Sequence, residues 1–134
     1  MPSLRNDEWR EWLEYAEEDR EEAHDRFNHG KWREACYHAQ QSIEKLLKAL
    51  TLKSGVFIPT HDIVSLLKYI EDKYGVKVLN VVVVEKELRE LTIHYYASRY
   101  PNAGRRFKIK YDKKTAEKCI EVMEKIWRRV EKLC

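Results

Sequence analysis

Apolar residues recur along this chain at the intervals of helix faces rather than of strands. From Trp9 onward one stripe reads Trp9, Trp12, Ala16, Asp19, Ala23 and Phe27, the three-then-four spacing of one side of a helix. Ser3 or Asn6 is placed to cap that helix near Asp7, and acidic residues crowd its first turns as the helix dipole prefers. Asn28-His29-Gly30 stops it. A second helix is expected from Trp32 to Lys53, with Trp32, Ala35, Cys36, Ala39, Ile43, Leu46, Leu47 and Leu50 on one side and Gly55 at its end. The short break between the two predicts an antiparallel helical hairpin.

Ile58-Pro59-Thr60-His61-Asp62 reads as a turn. Thr60 or Asp62 caps a short third helix carrying Ile63, Leu66, Leu67 and Ile70, closed by Tyr74-Gly75. The run from Val76 to Val84 is rich in β-branched residues and has strand character. A lone strand has no partner in this pattern, so the run is expected to lead, with Asn80 as cap, into a fourth helix reaching Tyr100. Pro101 disfavours helical geometry at Tyr100 and ends that helix. A basic loop follows, then a fifth helix over Lys113 to Lys132 with Ala116, Cys119, Ile120, Met123, Trp127, Val130 and Leu133 on one face. The expectation is a single all-α domain over residues 1–134, an up-and-down helical bundle of about five helices.

Composition agrees with that picture. The chain has 134 residues with only 4 glycines and 3 prolines, too few for a turn-rich β architecture. Charged residues make up 37% and hydrophobic ones 43%, the balance of a folded domain with a heavily charged surface. Net charge is only +3, so general attraction to nucleic acid is not implied, but Arg99 to Lys114 gathers seven basic residues against Asp112 alone. The 3 cysteines show no Cys-x-x-Cys spacing, which argues against a disulfide framework or a zinc site and suits a reducing compartment. No stretch approaches the ~20 apolar residues of a membrane span, and the cytoplasm is the expected location. Dense Glu, Lys and Arg with scarce Met suggests a thermophile source.

Several polar residues stand where chemistry or specific packing is required. Asp19 interrupts the apolar stripe of the first helix: either the stripe reaches the surface there, or a buried donor such as Gln40, Lys48, His61 or Arg99 meets it. Gln40 and Gln41 line an interhelical groove suited to a nucleotide or a partner. His61 fixes its turn and has no neighbouring ligand at metal spacing. In the fourth helix an arginine, four residues, a histidine, one residue and a tyrosine follow one another as Arg89, His94 and Tyr96, with His94 beside the core stripe of Leu88, Leu91 and Tyr95. Five residues place Arg89 and His94 roughly 140° apart around an ideal helix, whereas Arg89 and Tyr96 nearly share a side. A working site therefore needs a long reach, a distorted helix end, or a second subunit.

Taken together, Asp19, Ala39-Gln40-Gln41 with Glu44-Lys45 and Lys48-Ala49-Leu50, Thr60-His61-Asp62 and Arg99-Tyr100-Pro101 resemble the HEPN family over nearly the whole chain. The resemblance implies a helical bundle that forms a homodimer and works with a minimal nucleotidyltransferase as the toxin half of a toxin–antitoxin pair. It further implies Arg89 and His94 as the pair of a metal-independent ribonuclease, and Tyr96 as the tyrosine that the partner enzyme modifies with AMP. Glu90 departs from the small polar residue that usually follows the arginine. The alternative is a non-catalytic module binding a nucleotide or partner protein through Gln40, Gln41, Arg99 and Tyr100. Neither reading calls for a cofactor or a metal.

Overall fold

The computed structural model describes residues 7–134, and the caps expected at Ser3 or Asn6 lie outside them. Six α-helices follow one another: α1 Glu8–Asn28, α2 Trp32–Lys53, α3 Ile63–Tyr74, α4 Glu85–Ala97, α5 Pro101–Arg106 and α6 Lys113–Val130, with a single 3₁₀ turn at Glu131–Leu133. Helices α1 and α2 form the expected hairpin, which Gly30 turns at φ 71°. Asp62 caps α3 by accepting the Val64 N–H at 3.1 Å, and Gly75, left-handed at φ 67°, closes it.

Helix α2 is the axis of the fold. It packs against α1, α3, α4 and α6. The sequence stripe assigns it one buried side, yet Gln40, Gln41, Ser42, Glu44, Lys48 and Thr51 are buried as well as the apolar residues. The polar side of α2 is covered because neighbouring helices wrap it. Trp127 of α6 donates its indole N–H to Ser42 Oγ at 2.8 Å, and Ser42 donates to the Ala16 carbonyl at 2.8 Å, so one hydroxyl fastens α6, α2 and α1.

Two boundaries differ from expectation. The 76–84 run forms a tight loop, with an isolated bridge between Leu79 and Val83 and Asn80 at φ 64°. Its backbone N–H groups at Val78 and Leu79 are satisfied by the Glu71 carboxylate at 2.7 and 2.9 Å, so neither a ladder nor a helix is needed there. Helix α4 starts after Val84, whose N–H is held by Glu87 at 3.0 Å, and not at Asn80. It ends at Ala97, and Pro101 opens α5 with the preceding Tyr100 extended at φ −122°, ψ 115°. Proline stops one helix and starts the next, because its missing N–H costs nothing in a first turn.

Candidate functional site

Along α2 the residues Gln40, Glu44 and Lys48 recur every four positions and therefore stack on one side of the helix. A buried carboxylate is costly unless donors surround it. Glu44 has three: Gln40 Nε2 at 2.9 Å, Lys48 Nζ at 2.9 Å and His61 Nδ1 at 3.1 Å. Gln41 extends the chain by donating to Gln40 Oε1 at 2.7 Å. Lys48 Nζ also lies 5.8 and 5.7 Å from the Trp12 and Phe57 rings, which shield it from α1 and from the loop before α3.

The turn Pro59–Asp62 delivers His61 to Glu44 and lays its ring on Tyr95 of α4, centroids 3.9 Å apart and planes 18° from parallel. Beyond Tyr95 the Arg99 guanidinium carbon sits 5.0 Å from that ring, 5.5 Å from Tyr100 and 5.7 Å from Tyr37. The outer edge of the same surface carries Asp19, which accepts from His38 Nδ1 at 2.9 Å and Lys45 Nζ at 2.6 Å. Burial pushes the Asp19 carboxyl up, but these two donors more than offset it and hold it below the usual range. Asp19 is thus buried and paired, with His38 and Lys45 rather than the donors named from the sequence. The result is a face with Lys45, Lys48 and Arg99 against the carboxylates of Asp19 and Glu44, backed by stacked rings.

Arg89 and His94 are not brought together within the chain. Arg89 is exposed and pairs with Glu85 one turn back at 3.2 Å. His94 points inward, 5% exposed, with Nδ1 2.7 Å from the Tyr111 hydroxyl. Burial pushes its pKa down to about 4, so the imidazole is neutral at neutral pH. Tyr96 is 43% exposed and meets Tyr95 edge-on at 4.9 Å. Gln40, Gln41, Arg99 and Tyr100, by contrast, all belong to or border the Glu44 network. Sequence reasoning missed Glu44, Lys48 and Tyr95 as site residues and gave His61 only a turn-fixing role. The available signal was the Gln40-Glu44-Lys48 stripe on a helix otherwise apolar.

On the other side of α4 a cleft of about 730 Å³ opens toward α6, with His94 and Cys119 among its walls. Cys36, His94 and Cys119, all buried, place one donor atom each within 4.8 Å of one another. Their donor types and proximity suit a metal ion.

The HEPN domain family matches residues 9–133. The chain belongs to that family. A relative in Methanocaldococcus jannaschii bearing the name "Putative toxin MJ1304" is 28% identical over 125 residues, which cover 86% of this chain and 80% of the relative. Among solved structures, TT1696 from Thermus thermophilus superimposes with a TM-score of 0.73 at 28% identity, covering 97% of this chain and all of that one. ST0689, an archaeal HEPN homologue, gives 0.70 at 26% identity and covers 99% of this chain and 98% of its own. The HEPN identity and the helical bundle expected from the sequence are therefore established. Among the described residues of this HEPN chain, no helix is long and apolar enough to cross a membrane.

Proposed function

We propose that this HEPN protein is the ligand-binding half of a two-component toxin–antitoxin system, working as a homodimer with a minimal nucleotidyltransferase, and that the Glu44 face receives an anionic nucleotide. The observation that carries this reading is the Glu44–His61–Tyr95–Arg99 succession. A buried carboxylate fixes an imidazole flat on a tyrosine, and a cation waits beside that stack. Phosphate suits Arg99 and Lys45, and a base suits the tyrosine rings. The exposed Arg105, Arg106, Lys108, Lys110, Lys113 and Lys114 extend positive charge away from Arg99 for a longer ligand. Calorimetric titration with AMP and ATP tests the reading: micromolar to millimolar binding is expected, weakened at least tenfold by Arg99→Ala and by Gln41→Ala. Wild-type protein that ignores both nucleotides removes the proposal.

A second reading is metal-independent RNA cleavage by Arg89, His94 and Tyr96. The relative named as a toxin supports it, as does the solvent-facing placement of Arg89 and Tyr96 on α4. It requires His94 to leave Tyr111 or a second subunit to complete the site. In EDTA such an enzyme leaves 2′,3′-cyclic phosphate ends, because the neighbouring hydroxyl is the nucleophile. Arg89→Ala and His94→Ala each lower the rate about 10²–10⁴-fold while the helical signal persists. Cleavage that survives both substitutions points to contamination.

A further inference from the structure

We propose that Cys36, Cys119 and His94 form a zinc site in which one ligand from each of α2, α6 and α4 converges on a single ion, with the fourth position open to the cleft. The inference is independent of the nucleotide reading, since it concerns the opposite side of α4.

The donors are two sulfurs and an imidazole, the set that a borderline-soft ion prefers. Cys36 is 0% exposed, Cys119 4% and His94 5%, so the three ligands themselves are shielded from solvent. The two Sγ atoms lie 2.6 Å apart. As thiolates sharing one ion, each sulfur binds at ~2.3 Å and the pair opens around the metal. Each thiol gives up its proton to buffer as its sulfur–zinc bond forms, so loading releases two protons.

The surroundings complete the arrangement. The Tyr111 hydroxyl engages His94 Nδ1 at 2.7 Å; in the proposed site this contact orients the ring, as metal-bound histidines ordinarily have it, and the other nitrogen takes the ion. Cys119 and His94 reach the wall of the 730 Å³ cleft, which gives an ion an entry route between carboxylates (Glu90, Glu117, Glu121) and ammonium groups (Lys110, Lys114, Lys118). The third cysteine, Cys134, is exposed at the chain end and serves as an internal control.

Titration of the full chain with Co²⁺ under a phosphine reductant reads the site directly. One equivalent per chain is expected, with a thiolate-to-cobalt charge-transfer band in the near ultraviolet that added Zn²⁺ abolishes. Cys119→Ser and Cys36→Ser lose the band, Cys134→Ser keeps it, and Tyr111→Phe weakens binding about tenfold. Zn²⁺ also raises the melting temperature of the wild type and of Cys134→Ser, but not of Cys119→Ser. If Cys36→Ser fails to fold, the wild-type and Cys134→Ser titrations still decide. Absence of the band in the wild type overturns the proposal, as does a band that follows Cys134. So does a purified chain lighter by two hydrogens whose Cys36 and Cys119 resist alkylation, because the pair is then a disulfide.

Discussion

His61 and Glu44 meet across the junction of α2 and α3, with His61 Nδ1 3.1 and 3.2 Å from the two carboxylate oxygens. The contact ties a surface turn to the most buried acid of the central helix. It makes the geometry of the Tyr95–Arg99 surface depend on a carboxylate buried beneath it.

Glu44→Ala is expected to destabilise the fold by about 3–5 kcal/mol, because it leaves Lys48 buried without its partner. Replacing both at once, Glu44→Leu with Lys48→Met, is expected to be neutral or stabilising, since the paired desolvation cost disappears. Urea denaturation of the wild type and these variants measures this. Nucleotide binding should be lost in the double variant although its stability is kept.

Asp19→Ala removes the acceptor of two donors and is expected to cost roughly 1–3 kcal/mol. Lys45→Met and the double substitution complete a cycle whose coupling reports the pair itself. A melting temperature unchanged in Asp19→Ala means that His38 and Lys45 find water instead.

Acid sensitivity follows from the Glu124 carboxylate of α6, which donors on α1 hold. Arg20 hydrogen-bonds Glu124, burial opposes this by pushing its pKa up, and His24 adds a second donor; the net pKa is about 2. A carboxyl depressed in the folded state contributes its full stabilisation above its ordinary value of 4.5 and loses it as pH falls toward 2. Stability should therefore decline between about pH 4.5 and pH 2 more steeply in the wild type than in Glu124→Gln. Equal slopes in chemical denaturation at several pH values mean that the ion pair is unimportant.

Dimerisation is expected through the outer side of α4 and its junction with α5, where Tyr96 and Tyr100 are 43% and 47% exposed. Ile93 lies half-buried on the same side. Light scattering at micromolar concentration should give twice the chain mass. Tyr96→Glu with Tyr100→Glu should return a folded monomer.

The hairpin and α6 are readable because their periodicity is local and long, and the core has no reason to override it. Helix α5 is not, since Pro101 reads from sequence only as a terminator. The 76–84 loop escapes for a different reason: its backbone is satisfied by a Glu71 side chain seven and eight residues back, a partner that no propensity encodes. At the site, Gln40, Gln41 and Arg99 stand out as polar residues in conspicuous places. Their convergence on Glu44 depends on a turn and a stacked ring from other helices. Asp19 is legible as a misfit, but its partners His38 and Lys45 are not. Cys36 and Cys119 are 83 residues apart and meet only through packing, so local cysteine spacing is silent about them.

The bond from Trp127 to Ser42 supplies an optical gauge of assembly. Trp127 is 2% exposed, while Trp9, Trp12 and Trp32 are each half-buried. Its indole is therefore the shielded emitter of the chain, and it reports where the last long helix meets the first two. Blue-shifted fluorescence from this ring marks the moment α6 docks on the hairpin. Circular dichroism registers the helices whether they are docked or not. Followed together during refolding, the two signals separate the winding of the chain from the closing of its core.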